Sequence, residues 1–424
     1  MRLLVISNSL WSDNNSFGNS FSNIFGGGKY EIANISCQGG APQTTVCSRF
    51  FQITERGIID SIRCGVPSGA EVFMDSSPLK IDSKIRQRAK ANRWQIFFWG
   101  RDLIWATNRW RTKELDEFVL DFNPDIIILP IYLSTYINNI GCYVAKLTNK
   151  PVIGYISDDD YTLKQFSLSP LFWIDRLIKR RYVRKSIDMC RVLYTITEKQ
   201  KTEYQQIFGV KCRVLFKGGD FTNYKAPSRS GDDTLKFVYT GNLGSGRWRA
   251  LALIGDAIAK TAKRVELVVY STTKLTKGQT HRLTSSGVVK FMGSVEFSQI
   301  KDIQRNADVL IHVESFERKE RYSARLSFST KIVDYLEAGR CILAVGWRET
   351  AAIEYLRDND AAIVVTQEQD IEAKVSEIVD NPTIIDKYGL KGYRLGERNH
   401  QIETIRTKLY DDLKVFTDKG DIQK

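Results

Sequence analysis

Histidine is scarce in the 424-residue sequence: there are only His281, His312 and His400, and no two of them are close along the chain. A metal site built on histidine is therefore not expected. The seven cysteines are odd in number and form no C-x-x-C pair, so we interpret them as reduced, mostly buried cytosolic thiols. No run reaches the roughly 18 apolar residues of a spanning helix, and residues 1–7 turn polar too soon for a signal peptide. The sequence predicts a protein made and kept in the cytoplasm.

Positive charge is distributed unevenly. The net charge is +13, and residues 80–113 and 170–185 carry surpluses of eight and five positive charges, so the rest of the chain is nearly neutral. Basic character confined to two stretches indicates an anionic partner for those stretches. The overall composition, 42% hydrophobic and 26% charged, is typical of a globular protein.

Strand and helix patterns alternate along the chain twice over. A length of 424 residues suits two domains of about 200 residues better than one core. We therefore predict an α/β fold with two Rossmann-like parallel-sheet domains facing a cleft. The predicted domains are residues 1–222 and 235–395, with a polar linker at 223–234 and a helical tail at 396–424. The predicted strands lie at 2–7, 30–36, 125–130, 151–157, 192–197 and 212–216, then at 235–239, 265–270, 288–292, 307–313 and 341–345.

Three acids follow the predicted strand at 151–157. Asp158, Asp159 and Asp160 come just past the carboxyl end of this strand, where side chains of an open α/β sheet point into the ligand crevice. The alternative is a solvated cap for the next helix. All three are acceptor-side candidates that the sequence does not distinguish, and Asp158 is counted among the catalytic candidates.

A glycine-rich loop follows the predicted strand at 235–239. Gly241 and Gly244 allow the backbone to approach a ligand closely, and Arg247 and Arg249 stand at the start of the next helix. A strand, a glycine loop, an arginine and a helix in this order are typical of a phosphate-binding site. The loop does not have the G-x-G-x-x-G spacing of a dinucleotide site.

A second phosphate-binding pattern lies further along. Ser329 or Thr330 can cap a helix that ends at Gly339, and Lys331 adds a full positive charge at its start. Asp334 lies three residues after Lys331, so both project from one face. Such a helix can bind a diphosphate at its N-terminus and ribose hydroxyls one turn further along. A capped helix with one lysine and one aspartate is also an ordinary structural feature.

Residues 327–339, with ADVLIHVES upstream and ILAVG downstream, resemble the donor-binding core of GT-B glycosyltransferases, most of all the retaining family-4 type. In many of those enzymes a P-S-K-x-x-E-Y-L-A-x-G block binds the sugar nucleotide. Thr330 and Lys331 match its S-K, and Asp334 stands where its glutamate usually is. The version with two glutamates is absent, since Leu326 stands eight positions before Asp334.

The resemblance implies a nucleoside-diphosphate sugar as the donor substrate, and we predict no further cofactor and no metal. It assigns the donor diphosphate to a basic residue of the glycine loop, with Arg247 as first choice and Arg249 as second. It places the ribose at Asp334 and the nucleobase at the backbone near Phe291, and it implies that the tail at 396–424 crosses back onto the first domain. The predicted donor-contacting residues are Gly241, Gly244, Arg249, Phe291, Ser329, Thr330 and Asp334.

The two basic stretches combine apolar and cationic residues at helical spacings. Such helices lie in an anionic bilayer surface, and several basic residues at about 1 kcal/mol each suffice for reversible attachment. The alternative is a core-facing stripe with a solvated basic back. The two-sided pattern suits a membrane better than nucleic acid. The apolar stripes are Trp94, Phe97, Phe98, Ile104 and Trp105, and Leu171, Ile174, Ile178 and Tyr182, with Arg176, Lys179 and Arg180 on the other side of the second.

The sequence thus predicts a retaining glycosyltransferase of the hexosyltransferase type at the inner membrane face, acting on a lipid-linked saccharide in surface polysaccharide biosynthesis. Arg247 and Lys331 stabilise charge on the leaving diphosphate in this interpretation. An inverting enzyme would need a base, for which residues 158–160 offer candidates. The alternatives are a non-catalytic scaffold of the same fold that binds membrane or nucleic acid, and a sugar-nucleotide epimerase, which the scarcity of histidine disfavours.

Overall fold

The computed structural model describes residues 1–73, 95–224, 234–261 and 264–418. The chain forms two compact units, and the division after Leu215 lies closer to the N-terminus than the sequence-based boundary at 222. The basic residues at 80–94, most of the linker at 223–234 and the last residues of the tail lie outside the described residues. The first unit is Met1–Leu163, Ser167–Leu215 and Thr404–Lys424, and the second is Lys164–Phe166 and Phe216–Glu403.

An eight-stranded sheet organises the first unit. Its strands are β1 (Arg2–Ser7), β2 (Glu31–Ser36), β3 (Arg49–Ile53), β4 (Gly69–Val72), β5 (Ile126–Pro130), β6 (Val152–Ile156), β7 (Cys190–Thr195) and β8 (Cys212–Val214). The order is β4-β3-β2-β1-β5-β6-β7-β8, and all neighbours run parallel except β3 and β4. Its helices are α1 (Ser16–Phe25), α2 (Glu55–Cys64), α3 (Gln95–Ala106), α4 (Lys113–Phe122), α5 (Tyr136–Thr148), α6 (Pro170–Ile187) and α7 (Glu198–Phe208).

The central strand of this sheet is apolar from Leu3 to Ile6. Leu3 to Ile6 of β1 are fully buried between β2 and β5, as expected for a parallel strand covered on both faces. The C-terminal part of the chain completes this core, since Leu409 and Leu413 are buried in it. Arg406 donates to the carbonyl oxygen of Asn23 from Nε at 3.0 Å and Nη2 at 2.8 Å.

A six-stranded parallel sheet organises the second unit. Its strands are β9 (Leu235–Thr240), β10 (Val265–Tyr270), β11 (Val289–Gly293), β12 (Val309–Val313), β13 (Cys341–Val345) and β14 (Ile363–Val365), in the order β11-β10-β9-β12-β13-β14. Its helices are α8 (Arg247–Ala259), α9 (Lys277–Thr284), α10 (Phe297–Arg305), α11 (Arg318–Ser323), α12 (Lys331–Ala338), α13 (Ala351–Asp358), α14 (Ile371–Asp380) and α15 (Thr383–His400), with a 3₁₀ turn at Glu368–Asp370. A last helix, α16 (Ile402–Asp418), continues into the first unit.

The topology of the second unit brings particular loops together. Strand order reverses between β9 and β12, which are neighbours in the sheet. In open α/β sheets, ligands bind outside the carboxyl ends of the strands at such a reversal. The helices that follow these two strands include α8 and α12, the two that carry the phosphate-binding patterns. The predicted α/β fold with two parallel-sheet domains is confirmed. Among the helices that the structure describes, none has both the length and the apolar character needed to span a bilayer.

Candidate active site

Lys331 opens α12 and lies against the glycine loop that follows β9. Its Nζ is 4.6 Å from the centroid of the Tyr239 ring. A Cβ atom at Gly241 would come within 2.0 Å of the same Nζ, and Gly241 has a φ of +152°. Only glycine therefore fits this position without moving the lysine. Gly241 thus admits the Lys331 side chain of the same unit, and the approach of a ligand to this loop stays a prediction.

The start of α12 differs from the predicted side-chain cap. Thr330 has helical backbone angles, φ −58° and ψ −22°, and its side chain makes no capping hydrogen bond within the described part of the chain. The carbonyl oxygen of Ser329 accepts from the N–H of Ile332 at 3.0 Å. A side-chain cap needs an extended backbone at the capping residue, and Thr330 does not have one. The first turn therefore keeps the partial positive charge of a helix N-terminus without a Thr330 hydroxyl over it.

The glycine loop ends in two residues with left-handed backbone. Ser245 has a φ of +54°, and Gly246, which precedes α8, has a φ of +75°. The N–H of Gly244 donates to Oδ1 of Asn242 at 2.5 Å, which closes the turn. This turn sets Arg247 as the first residue of α8, at the carboxyl edge of the sheet. The loop thus positions a guanidinium as the sequence predicted.

Arg247 is held by a buried carboxylate. Its Nε and Nη2 donate to the same oxygen, Oε2 of Glu314, at 3.2 and 2.8 Å. Glu314 directly follows β12 and is buried. His312 lies two residues earlier with its Nε2 3.7 Å from the other Glu314 oxygen. Burial, and then the charges of Lys331 and Arg247, lower the pKa of His312 to about 3, so this imidazole is neutral.

Asp334 has a partner that sequence reasoning did not assign. The Nζ of Lys217 lies 2.6 Å from Oδ1 of Asp334, and both side chains are largely buried. Lys217 stands where the resembling family usually has asparagine. The carboxylate proposed for the ribose is therefore already ion-paired through one of its oxygens. Any hydroxyl that binds Asp334 shares it with a lysine.

These side chains form one charged group in the second unit, which we call the cationic cluster: Lys217, Arg247, Glu314, Lys331 and Asp334. Arg247 and Lys217 each have a carboxylate partner. Among the described residues, no carboxylate lies within ion-pair distance of Lys331 Nζ. Burial and then the like charge of Arg247 lower the pKa of Lys331 to about 8, although Glu314 and Asp334 raise it. At neutral pH this lysine is therefore mostly charged.

The cluster suits binding of a multiply charged anion. Lys331 and the first turn of α12 supply a charge and N–H donors, which is how helix N-termini bind phosphate. Arg247 can make two parallel hydrogen bonds to phosphate oxygens if it turns from Glu314. Within the described part of the chain, no group of three or more histidine, cysteine or acidic side chains is placed to hold a metal ion. The chemistry that Lys331 and Arg247 offer is stabilisation of negative charge.

The three acids after β6 belong to the first unit and have different environments. Asp159 is buried, where it accepts from the N–H of Thr162 at 2.9 Å and from the Tyr204 hydroxyl at 3.2 Å. Asp158 is exposed. Asp160 is half-buried, and burial, followed by the charge of Asp158, raises the pKa of its carboxyl to about 8. Asp159 thus shapes the loop, while Asp158 and Asp160 stay acceptor-side candidates.

Other predicted donor contacts lie apart from the cationic cluster. Arg249 is exposed, and its Nη1 pairs with Oε1 of Glu317 at 2.5 Å. Its side chain lines a pocket whose lining does not include Arg247 or Lys331. Phe291 lies half-buried on β11, which ends at Gly293 with a φ of +75°. These positions do not show whether Arg249 or Phe291 contacts the donor, and both assignments stay predictions.

Helix α6 carries the second basic stretch, and two of the cations predicted to lie on its exposed side face inward. Arg176 and Lys179, expected on a solvated cationic side, are buried. Of the predicted apolar stripe, Leu171, Ile174 and Ile178 are exposed and Tyr182 is half-buried, and Leu177 beside them is exposed as well.

Buried partners explain why these two cations face inward. The Nε and Nη2 of Arg176 donate to backbone carbonyl oxygens of Thr162 and Asp159, each at 2.7 Å. Lys179 Nζ lies 2.8 Å from Asp175 and 3.4 Å from Asp102. Hydrogen bonds and carboxylates satisfy the buried cations, so the apolar residues are left on the surface.

Helix α3 carries the end of the first basic stretch, whose residues 80–94, including Trp94, lie outside the described residues. Trp105 of the predicted apolar stripe is buried, whereas Leu103 is 70% exposed. The side chain of Phe97 is not described. Trp99 Nε1 donates to Oδ1 of Asp175 at 3.0 Å, which ties α3 to α6. The exposed apolar surface of the first unit therefore includes residues of both helices.

Sequence reasoning missed Glu314, Lys217 and His312 as members or neighbours of the site. Glu314 carried a usable signal, because it directly follows the apolar strand that pairs with β9. A charged residue at that edge of a parallel sheet is a candidate by position alone. Lys217 carried no such signal, since its pairing with Asp334 joins residues more than a hundred positions apart.

Residues 234–381 match a family of known proteins described as "Glycosyl transferases group 1". This match covers the second sheet and the whole cationic cluster except Lys217. No curated protein sequence matches the chain. The matched segment is a glycosyltransferase domain, and the chain is therefore a glycosyltransferase.

Solved structures similar to the whole chain share its fold at low sequence identity. HepE of Anabaena, in complex with UDP and glucose, has 12% identity and a TM-score of 0.63, covering 98% of this chain and 100% of its own. Sucrose-phosphate synthase of Thermosynechococcus elongatus has 11% identity and a TM-score of 0.64, covering 98% and 100%. A trehalose-6-phosphate synthase studied for glycosyltransfer with retention has 11% identity and a TM-score of 0.61, covering 98% and 99%. The predicted GT-B fold is confirmed by these similarities.

Proposed function

Because residues 234–381 are a glycosyltransferase domain, we propose that the protein transfers a sugar, with retention, from a nucleoside-diphosphate sugar to a lipid-linked saccharide at the inner membrane face. The observation that carries the donor part is the convergence of Lys331 and Arg247 on one edge of the second sheet. A role in surface polysaccharide biosynthesis follows from the class of acceptor.

The cationic cluster supplies the electrostatic part of catalysis. As the bond to the leaving diphosphate breaks, negative charge builds on the phosphate oxygens. Lys331 and the first turn of α12 are fixed beforehand, so they stabilise that charge without rearranging at the moment of reaction. Arg247, held by Glu314, adds a second cation whose charge acts on Lys331. We assign the ribose hydroxyls to Asp334, with Lys217 as a second donor beside it.

Retention is supported by the two cations placed for the leaving diphosphate, Lys331 and Arg247. It is also supported by the lowered pKa of the buried His312, which makes this imidazole a weak base. In front-face transfer the leaving phosphate takes the acceptor proton, so the protein need not supply a base. The trehalose-6-phosphate synthase with the same fold is described as a retaining transferase, which agrees with this proposal. Asp160, with its pKa raised to about 8, would be the base of an inverting enzyme.

The lipid part of the proposal is supported by the outer face of α6. Leu171, Ile174, Leu177 and Ile178 are exposed along the N-terminal half of this helix, and Arg181, Arg184 and Lys185 are exposed along its C-terminal half. An apolar surface that continues into a cationic one can insert its apolar part among lipid chains while the cations contact anionic headgroups. A first unit attached in this way would meet an acceptor that is anchored in the same bilayer.

The donor proposal is tested by thermal unfolding in the presence of UDP-, GDP-, dTDP- and CMP-sugars. A ligand at 100 times its dissociation constant stabilises the native state by about 2.7 kcal/mol, which shifts the midpoint measurably. UDP-sugars are the first to test, since HepE of the same fold is solved with UDP. We expect stabilisation by one nucleotide, lost in Lys331→Ala and Arg247→Ala.

The matched control is Lys290→Ala. This substitution also removes one positive charge from the second unit, but Lys290 is exposed and pairs with Glu266 on the neighbouring strand. This variant should keep the full stabilisation. If none of the nucleotide sugars shifts the unfolding midpoint, the donor-site assignment is contradicted and the non-catalytic scaffold is favoured.

The membrane proposal is tested by sedimentation with vesicles of phosphatidylglycerol and phosphatidylcholine. Ile174→Ser and Leu177→Ser should weaken binding, since each removes apolar area that would lie among lipid chains. Leu120→Ser is the matched control, because Leu120 is an exposed leucine on α4 of the same unit. Equal binding of all three variants and the wild type would refute the assignment of this helix face.

A further inference from the structure

The second unit contains a cavity that the cationic cluster does not use. Its volume is about 460 Å³, within the range of small-molecule sites. It lies beside the first turns of α8 and the residues that follow β12, with Arg282 of α9 and Glu368 of the 3₁₀ turn at its border. We propose that this cavity, the Trp248 pocket, binds a neutral saccharide. The proposal goes beyond the function proposed above, because it requires no transfer reaction.

The floor of the Trp248 pocket is aromatic and aliphatic. Trp248, Leu253 and Phe316 are half-buried and pack against the core of the second unit. Packing against the core restrains these side chains, which also line the cavity. A fixed aromatic surface beside a cavity offers a flat apolar contact with little loss of side-chain freedom on binding. The C–H faces of a sugar ring fit such a surface.

The border of the pocket carries planar charged groups that are already held in place. Arg249 pairs with Glu317 at 2.5 Å, and its guanidinium carbon is 5.2 Å from the centroid of the Trp248 ring. Arg282 donates to both carboxylate oxygens of Asp256, at 3.1 and 2.5 Å. Guanidinium and carboxylate groups in fixed planes can hydrogen-bond pairs of neighbouring hydroxyls.

The balance of charge selects the ligand class. Arg249 and Arg282 have acidic partners, and Glu317 and Glu368 are themselves lining residues. The pocket therefore has no excess of positive charge that would favour a diphosphate, in contrast to the cationic cluster. An uncharged ligand with both an apolar face and many hydroxyls matches the floor and the border together. Neutral oligosaccharides have these properties.

The pocket and the cationic cluster are formed by neighbouring residues of the same segments, but they have no side chain in common. Trp248 follows Arg247 on α8, and Phe316 comes two residues after Glu314. None of the lining residues is Arg247, Glu314 or Lys331. A saccharide in the pocket and a nucleotide at the cluster can therefore be bound independently, and this independence is what the experiment measures.

The test is saturation-transfer NMR on the full chain with maltotetraose, cellotetraose and tetra-N-acetylchitotetraose as probes. We expect transfer to at least one tetrasaccharide, and binding about tenfold weaker in Trp248→Ala, which corresponds to about 1.4 kcal/mol. Because Trp248 packs against the core, the second variant is Arg282→Ala, which removes a partly exposed side chain outside that core. Excess UDP should leave the saccharide signal unchanged, and Lys331→Ala should bind the saccharide like the wild type.

Three results would overturn the proposal. These are no transfer to any of the three probes, equal binding in Trp248→Ala, Arg282→Ala and the wild type, or displacement of the saccharide by UDP. The last would place the sugar at the cationic cluster. Nucleotide binding is followed separately by thermal unfolding, so failure of the saccharide site and failure of the donor site give different outcomes.

Discussion

Donor binding should depend on pH through Lys331. Burial and the charge of Arg247 lower the pKa of this lysine to about 8, more than two pH units below its usual value. A lysine with a lowered pKa loses its proton as pH rises through that value, so the charged form that attracts a diphosphate disappears above pH 8. The affinity should accordingly be high and nearly constant below pH 7 and should decline in alkaline solution.

The size of the decline follows from the fraction of charged lysine. With a pKa of about 8, about ten elevenths of the protein carries the charge at pH 7 and about one eleventh at pH 9. If only the charged form binds, the apparent dissociation constant rises about tenfold between these pH values, or about 1.4 kcal/mol. The assay is isothermal titration calorimetry with the stabilising nucleotide sugar at half-unit steps from pH 6.5 to 9.5.

Lys331→Arg is the decisive control for this dependence. Arginine keeps its charge throughout the range, so its affinity should be independent of pH apart from titration of the ligand itself, which both proteins share. The ratio of the two affinities therefore isolates Lys331. A ratio that stays constant from pH 7 to 9.5 would refute the reasoning, because the lysine would then be charged throughout or would not contact the donor.

Three further predictions test single contacts. Glu314→Gln removes a charge that raises the pKa of Lys331, so the midpoint of the pH dependence in the same titration should move to lower pH. Gly241→Ala places a Cβ atom against the Lys331 amine at a φ of +152°, and urea unfolding should show a loss of about 2 kcal/mol together with lost donor binding. Asp159→Asn weakens a buried pair with an arginine and should destabilise the protein by about 3 kcal/mol in urea, whereas Asp158→Asn, at an exposed position, should change stability by less than about 0.5 kcal/mol.

The parallel sheets could be predicted because their strands are continuous apolar runs. The segments around Val5, Ile128 and Leu343 are buried on both faces, and such runs bounded by polar loops are typical of parallel strands. Strands β3, β4 and β14 were not predicted. β4 is short and half-exposed and pairs antiparallel at the edge of the sheet, so its residues carry neither an apolar run nor a clear alternation.

The cationic cluster could be predicted only where its geometry is local. Arg247 follows a glycine loop and Lys331 opens a helix, and both facts lie within a few residues of each side chain. Glu314 and Lys217 fix the orientation of other side chains through distant pairings that the fold alone creates. Sequence patterns therefore located Arg247, Lys331 and Asp334 and missed Glu314 and Lys217, which pair with Arg247 and Asp334.

Helix α6 shows why periodicity did not decide which face is buried. The spacing of Ile174 and Ile178 relative to Arg176 and Lys179 correctly predicted a helix with an apolar and a cationic face. Hydrophobicity alone suggested that the apolar face packs against a protein core or a membrane. Which face turns inward depends on what the inner surface offers, and here it offers carbonyl oxygens and the carboxylate of Asp102. Buried cations with such partners are tolerated, so the apolar residues stay outside. The exposed apolar stripe is thus a consequence of the polar groups beneath the helix, and replacing those groups would remove the surface that we assign to the membrane.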